Sequence, residues 1–458
     1  MGDRSPCLAM TEIIADDTIL GAVASGFLSV VPGTCLVACR LTALKLVQTM
    51  TTRSQTGLRR LSRLTIVPRI WLFYVAGLSL ALLRRLLWTT SGTPTDNTEE
   101  ILFVAKNSLS VLYVLENARL LSKRGNAKCA VTAPRWLRRE IEQRAQEANL
   151  SIRFTPLHRA IFAKWKLIVY THHYLGFCFD RRTPSVYVSH GIETGKKTLY
   201  DTLYTYGFKG MRTPREPVYH SMIATHTAEI DMVCCEYPSY RAVVTTSTDA
   251  VLERLILRAA RKKSLKRRLG IPSHKPVALF MSTWGRPSLM SSHGEELARE
   301  AEFLSEGFQL VFSVHPKLSG SKRTQSVLRT LKAKGAKVIP PVISWVDYMA
   351  VSDVAVSDIT SMCLYSALLG IPIVFLGCSL DRLIRGGLVD EVVHHSFHAR
   401  SVRDLRTRLW DALDRPNQEV AQRIRKQFPH LGDAAHLIGT INSLVTTQGL
   451  SATAANVC

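Results

Sequence analysis

Val351–Gly370 reads VSDVAVSDITSMCLYSALLG. A short apolar run ends at Ser357-Asp358, and Thr360-Ser361 then open a helical pattern that continues to Leu369. A strand that passes through a tight turn straight into a helix is the repeating unit of a parallel sheet covered by helices. The same rhythm extends outward on both sides. Strand-like runs stand at Val277–Ser282, Gln309–Val314, Lys337–Ile339 and Pro372–Leu376, with helical patterns at Glu295–Ser305, Thr324–Ala333 and Val402–Leu413. An earlier series has strand-like runs at Ile101–Ala105, Ala127–Thr132, Ser151–Phe154, Leu167–Thr171, Ser185–Ser189 and Met232–Cys235, with helical patterns at Ser110–Lys123 and Pro134–Ala148.

Between the two series lies Asp249–Leu269, helical by composition and closed by Gly270 and Pro272. The expectation is an α/β protein: two Rossmann-like domains in a GT-B arrangement, with the site in the cleft at the carboxyl ends of the strands. The predicted division is an N-terminal membrane-associating helical segment (1–97), a first Rossmann-like domain (98–248), a basic connecting helix (249–270), a second Rossmann-like domain (271–445) and a tail (446–458).

The chain has 458 residues, 46% of them hydrophobic and 21% charged, which excludes a disordered or low-complexity chain. Its ten cysteines show no CxxC pair, so neither a disulfide framework nor a zinc site is expected. The formal net charge of +23 calls for an anionic partner. That charge is concentrated. Nine cations and no acid lie between Arg40 and Trp88, and eight cations with Glu253 as the one acid lie between Val251 and Arg268. The 22 uncharged residues Thr18–Cys39 precede the first cationic stretch, and the apolar run Ile70–Leu83 lies within it. Thr18–Cys39 is long enough to span a hydrocarbon core of about 30 Å, and a buried core helix is the competing reading. Ile70–Leu83 suits a helix in the membrane interface with Arg84 and Arg85 reaching the headgroups, against a soluble packing helix. The acids before the uncharged run and the cations after it place the following chain on the cytoplasmic face. Cations beside apolar runs, without rows of stacking aromatics, disfavour nucleic acid as the partner.

Four elements carry residues suited to chemistry on phosphate. Strand Ser185–Ser189 runs into His190-Gly191, with Glu193, Lys196 and Lys197 following. A histidine there suits a general base near neutrality, and the competing reading is a loop histidine among solvated lysines. Strand Gln309–Val314 ends in His315-Pro316-Lys317, where a protonated His315 can neutralise a pyrophosphate; alone it reads as a turn histidine. Ser357, Asp358, Thr360 and Ser361 bring hydroxyls to the start of a helix, either as a phosphate site or as ordinary caps. Ser282-Thr283-Trp284-Gly285-Arg286 offers a hydroxyl, loop amides and a guanidinium. No cluster of metal-ligand spacing stands out, and neither a metal nor a cofactor is expected.

Taken in chain order, the four elements resemble the CDP-glycerol glycerophosphotransferase family, which builds teichoic acids and related polymers. That family's pattern is His-Gly-Thr-Pro followed by Lys, then Thr-Trp-Arg, His-Pro, an Asp-Tyr-Ser-Ser stretch and a Leu-Leu-Gly-Lys-Pro-like run. The matching residues are His190-Gly191 with Lys196-Lys197, Thr283-Trp284 with Arg286, His315-Pro316, Asp358-Ile359-Thr360-Ser361 and Leu368-Leu369-Gly370-Ile371-Pro372. The resemblance runs from about Glu100 to Leu431. Ile192-Glu193 departs from Thr-Pro, Ile359-Thr360 from Tyr-Ser, and Tyr365 stands where an acid often follows the Ser pair.

The resemblance implies a peripheral membrane enzyme of GT-B fold that moves a polyol phosphate from a CDP-activated donor to a lipid-linked or polymeric membrane acceptor, releasing CMP. It implies His190 and His315 as the essential residues. Thr283, Arg286, His315, Pro316, Ser357, Asp358, Thr360 and Ser361 fall on the donor side; Gly191, Glu193, Lys196 and Lys197 fall on the acceptor side. The rivals are a GT-B glycosyltransferase using a nucleotide sugar, a non-catalytic basic membrane-binding protein, and a member of the family whose motif changes have abolished turnover.

Overall fold

The computed structural model describes residues 97–125, 127–171, 179, 182–189, 191, 219–236, 238–285, 288–339, 345–377, 380, 383–416 and 418–454. The N-terminal runs Thr18–Cys39 and Ile70–Leu83, with the cations around them, lie outside these residues. Among the described residues no helix is long and apolar enough to cross a membrane.

Short apolar runs build two sheets. The first holds β1 (Asn97–Val104), β2 (Cys129–Thr132), β3 (Arg153–Phe154), β4 (Lys164–Tyr170), β5 (Ser185–Val188), β6 (Ser221–Ala224) and β7 (Val244–Thr246), in the order β3-β2-β1-β4-β5-β6-β7. The second holds β8 (Val277–Ser282), β9 (Gln309–Val314), β10 (Lys337–Val338), β11 (Val354–Ser357), β12 (Ile373–Leu376) and β13 (Phe397–Ala399), in the order β10-β9-β8-β11-β12-β13. Every pairing is parallel. Strands β2, β5, β8, β11 and β12 are buried along their whole length, as sheets covered by helices on both faces require. In each sheet the order reverses once, between β1 and β4 and between β8 and β11. Ligands of open α/β sheets bind at such switch points, outside the carboxyl ends of the strands.

The helices of the first half are α1 (Ser108–Gly125), α2 (Arg138–Glu147), α3 (Leu157–Phe162) and α4 (Thr227–Glu236). The join is α5 (Ala250–Ala259) and α6 (Lys262–Arg268). The second half carries α7 (Leu289–Gly307), α8 (Pro316–Ser319), α9 (Lys322–Ala333), α10 (Trp345–Val351), α11 (Met362–Leu368), α12 (Leu388–His394), α13 (Val402–Asp414) and α14 (Gln418–Lys426). Last comes α15 (Ala434–Ala454).

Four sequence expectations are corrected. Met232–Cys235 is helical, not a strand. The Thr225 amide and hydroxyl donate to Glu229 Oε2 at 2.7 and 3.0 Å, and the Glu229 amide donates to His226 Nδ1 at 3.2 Å. This local cap starts α4 and carries the four-residue apolar run into it; the neighbouring strands are β6 and β7. The connecting helix is two helices, broken at Arg261, where φ is −112° and ψ 27°. The second domain does not end at 445 with a tail after it. Helix α15 runs back to the first half, where Ala434, Leu437, Ile438 and Ile441 join the core of Val111, Val114, Ala118 and Val169. Finally, β1 begins at Asn97, the last residue of the expected N-terminal segment, which therefore ends one residue earlier.

The basic join is tied to the protein's own acids. Asp347 receives Arg258 at 3.2 Å and Arg268 at 2.9 Å. Asp353 receives Lys262 at 2.8 Å and Lys266 at 2.9 Å, and buried Glu116 of α1 receives Arg254. Helical spacing turns these five cations toward α10 and α1, so they are committed to intramolecular pairs.

Candidate active site

The register of the second sheet sets three loop starts side by side. Ser282 of β8 is level with Val314 of β9, and Ser357 of β11 is level with Met281 of β8 and Phe375 of β12. The next residues along each strand, Thr283, His315 and Asp358, therefore emerge together at the carboxyl edge. Thr283 and Asp358 flank the switch point itself.

Asp358 is the post around which this edge is built. It is 2% exposed. Its two carboxylate oxygens accept the Thr283 amide at 3.0 and 2.9 Å, and Oδ2 also accepts the Leu289 amide at 2.7 Å. The Ser282 hydroxyl accepts the Met290 amide at 3.0 Å. Asp358 thus pins both ends of the loop that carries Trp284 and Gly285 onto the start of α7. Its place in the site is to shape that loop. Ser357 is fully buried, and its hydroxyl donates to the Asp358 carbonyl at 2.7 Å.

His315 caps the short helix α8. The Lys317 amide donates to its Nδ1 at 3.2 Å, so the neutral ring carries its proton on Nε2. The Lys317 ammonium lies 4.0 Å from the centre of the Trp284 ring, and the Trp284 and His315 rings are 6.3 Å apart. The protein packed around the ammonium lowers the Lys317 pKa. A histidine, a lysine and a tryptophan thus converge on the β8 and β9 tips. Pro316 occupies the first turn of α8, where its missing N–H costs nothing.

The two halves meet at Gly191. Its φ of +129° is open to glycine and strained for other residues. A Cβ there would stand 3.4 Å from the Tyr113 hydroxyl and 3.9 Å from the Ser361 hydroxyl. Gly191 follows β5, Tyr113 lies on α1 and Ser361 opens α11, so the turn expected on the acceptor side touches the element expected on the donor side. Behind this contact runs a buried chain of polar groups. The Tyr113 and Tyr365 hydroxyls are 3.2 Å apart, and the Tyr365 hydroxyl donates to Asp249 Oδ2 at 3.2 Å. Asp249 also caps α5, where its Oδ1 accepts the Leu252 amide at 2.8 Å. Burial pushes the Asp249 carboxyl up to about 6 and the Tyr113 and Tyr365 phenols well above their usual value.

The structure brings Gly191, Thr283, His315, Pro316, Ser357, Asp358, Thr360 and Ser361 to the carboxyl edges of the two sheets. Thr360 and Ser361 are half-buried; the Met362 amide reaches the Thr360 hydroxyl at 3.4 Å. His190, Glu193, Lys196, Lys197 and Arg286 lie outside the described residues. Sequence reasoning passed over Tyr113 and Asp249. Asp249 reads as a plain helix cap, and Tyr113 as one more apolar position of α1. The signal for both was Tyr365, the one aromatic residue in the helical pattern that follows Thr360-Ser361. A surface hollow lined by His395, Phe397, Arg415 and Glu419 lies at the amino end of β13, on the opposite edge from these residues.

Two parallel Rossmann-type sheets, each with one switch point and meeting at their carboxyl edges, define a GT-B-like α/β protein. Solved structures bear this out. The chain is similar to the wall teichoic acid polymerase TagF, with a TM-score of 0.60 at 11% identity over 83% of this chain and 98% of that one. A TagF structure soaked with CDPG gives a TM-score of 0.58 at 11% identity over the same shares. A putative UDP-N-acetylglucosamine 2-epimerase from Listeria monocytogenes gives 0.52 at 12% identity over 77% of this chain and 97% of that one. No protein-family model and no curated protein sequence matches the chain.

Proposed function

We propose that the chain is a GT-B-type transferase of the glycerophosphotransferase kind. It moves a glycerophosphate or related polyol-phosphate unit from a CDP-activated donor to a hydroxyl of a membrane-linked acceptor, and it works at the cytoplasmic face of the membrane. The observation that carries this reading is the meeting of the Gly191 turn with Ser361, beside the aligned tips of Thr283, His315 and Asp358. These are the elements through which the sequence resembles the family, and the fold they stand on is similar to that of a teichoic acid polymerase.

In this reading the acceptor hydroxyl attacks the β-phosphorus of the donor. Its oxygen forms the new P–O bond and its proton passes to His190. The bond to the bridging oxygen breaks, and CMP leaves with that electron pair. His315, whose Nδ1 is occupied by the Lys317 amide, offers Nε2–H to the departing phosphate. Arg286 and the hydroxyls of Thr360 and Ser361 hold the donor phosphates. Such a reaction depends chiefly on positioning and on charge stabilisation of the phosphoryl oxygens.

The test is a panel of CDP-glycerol, other CDP-polyols and UDP-sugars, read as CMP or UMP release with a membrane acceptor. CDP-polyol turnover that falls at least 100-fold in both His190→Ala and His315→Ala is the expected result. Full transfer by both variants removes the reading. Release of UMP from a UDP-sugar selects the nucleotide-sugar transferase instead, a reading favoured by the likeness to the Listeria epimerase fold.

A further inference from the structure

Trp136 is 62% exposed, more than Leu257, Phe303 or Trp410, the other large apolar residues that face solvent among the described residues. Phe303 lies under the Arg406 guanidinium at 4.3 Å, and the Trp410 ring packs on Phe308 at 4.8 Å. Trp136 has no comparable cover. It sits in the 3-10 turn Arg135–Leu137, directly after β2 and before α2. Leu137 is fully buried and anchors the turn, which points its neighbour outward. Arg135, Arg138 and Arg139 flank Trp136 in the chain, all exposed. Arg138 pairs with Glu142 at 2.7 Å and lies over Phe154 of β3 at 5.6 Å. Arg135 and Arg139 form no ion pair among the described residues. The acids of α2 are engaged: Glu140 takes Arg144 and the Ser108 hydroxyl, and Glu147 takes Gln143. On the neighbouring strand tip, His158 and Arg159 of α3 are exposed as well.

We infer that this turn is a docking surface for an anionic lipid bilayer. An indole exposed among guanidiniums has the composition of a membrane-interface anchor: the ring enters the headgroup layer and the guanidiniums bind lipid phosphates. Charge complementarity points the same way, since the turn is cationic in a chain of net charge +23. A nucleic-acid surface would present several stacking rings, and here one aromatic stands alone. The turn lies at the carboxyl edge of the first sheet, the edge that also carries the Gly191 turn. Docking therefore sets the acceptor side of the cleft against the headgroups. The inference deepens the reading of a membrane-linked acceptor and rests on it. Vesicle binding is measured without turnover, so the two can fail separately.

The test uses the full chain. Wild type and Trp136→Phe are titrated with vesicles of phosphatidylcholine and brominated phosphatidylglycerol, reading tryptophan quenching. Wild type is expected to lose a component of its fluorescence that W136F lacks, and phosphatidylcholine alone is expected to produce no such difference. In sedimentation with unbrominated anionic vesicles, the double variant Arg135→Gln/Arg139→Gln is expected to partition about 30-fold more weakly at low salt. Circular dichroism checks that the variants fold. Identical quenching of wild type and W136F, at lipid concentrations where the protein is fully bound, overturns the inference. So does a lipid-free self-association that W136F abolishes, which would assign the turn to a second copy of the chain.

Discussion

Asp249 is buried at 2% exposure, yet it is a carboxyl with a pKa of about 6. The folded protein holds this proton more tightly than the unfolded chain, whose aspartates titrate near 4. Between pH 4 and 6 the folded state therefore binds more protons, and the Asp249 contribution lowers stability as pH rises through that window. The full effect above pH 6 is about 3 kcal/mol. Asp249→Asn is expected to flatten this part of the stability profile, as urea unfolding at pH 4, 5, 6 and 7 would reveal. Asp358 gives a contrasting case, because its carboxylate is the acceptor for the amides of Thr283 and Leu289. Asp358→Ala leaves two buried amides without that acceptor and is expected to cost about 3 kcal/mol in denaturant unfolding. If the chain takes CDP-glycerol as proposed, that donor is expected to raise the melting temperature of the wild type and not of D358A in a thermal shift assay. An unchanged melting temperature for D358A would contradict the role given to this residue. At this scale the sequence was informative about position and less so about role. Ser357-Asp358 could be placed at the end of a strand, but that Asp358 serves the chain's own amides depends on the register of β8 against β11, which no local pattern contains.

Charge at the level of elements carries the second lesson. The join between the halves is rich in Lys and Arg, and composition alone reads it as a surface for lipid or polymer. Its Lys262 and Lys266 instead converge on Asp353, whose carboxylate also accepts the Val277 amide at 2.8 Å. Burial acts to raise the Asp353 pKa, but the two ammoniums and the amide outweigh it and hold the group below the usual range. Asp353 thus fastens α6 to the first residue of β8. Asp353→Asn is expected to lower stability by about 2 kcal/mol, with a smaller loss at 1 M salt where the ion pairs are already screened. Thermal melts at low and high salt check this. Long runs such as β8, β9 and α13 were legible because apolar content, length and flanking turns agreed. Met232–Cys235 was not, since four apolar residues suit a strand and a helix turn equally, and a cap from Thr225 to Glu229 decided between them. Strands β6 and β7 are short and sit at one side of their sheet, where pairing with a neighbour rather than their own pattern defines them.

For the whole molecule, the feature least visible in the sequence is the return of α15 to the first half. Its apolar residues look like those of any terminal helix, and nothing local says which sheet they cover. Removing the chain from Ala434 onward strips Leu437, Ile438 and Ile441 from the core of α1 and β4. At about 2 kcal/mol for each large buried side chain, this is expected to cost roughly 6 kcal/mol, enough to unfold the first half. Soluble yield and circular dichroism of the truncated chain would report it. The return also gives the polypeptide two passages between the halves, one at 247–253 and one at 427–436. They are stitched together where the Gly432 amide donates to Glu253 at 2.9 Å and His436 meets the Ser247 hydroxyl at 3.1 Å. A protein threaded this way does not come apart at one incision. A protease site engineered between Gly270 and Lys275, after the join and before β8, would divide the chain and leave the carboxyl fragment clasped to the amino fragment by α15. The pair should then migrate as one species on a sizing column and as two under denaturing conditions, which makes the chain suited to being expressed as two complementing pieces.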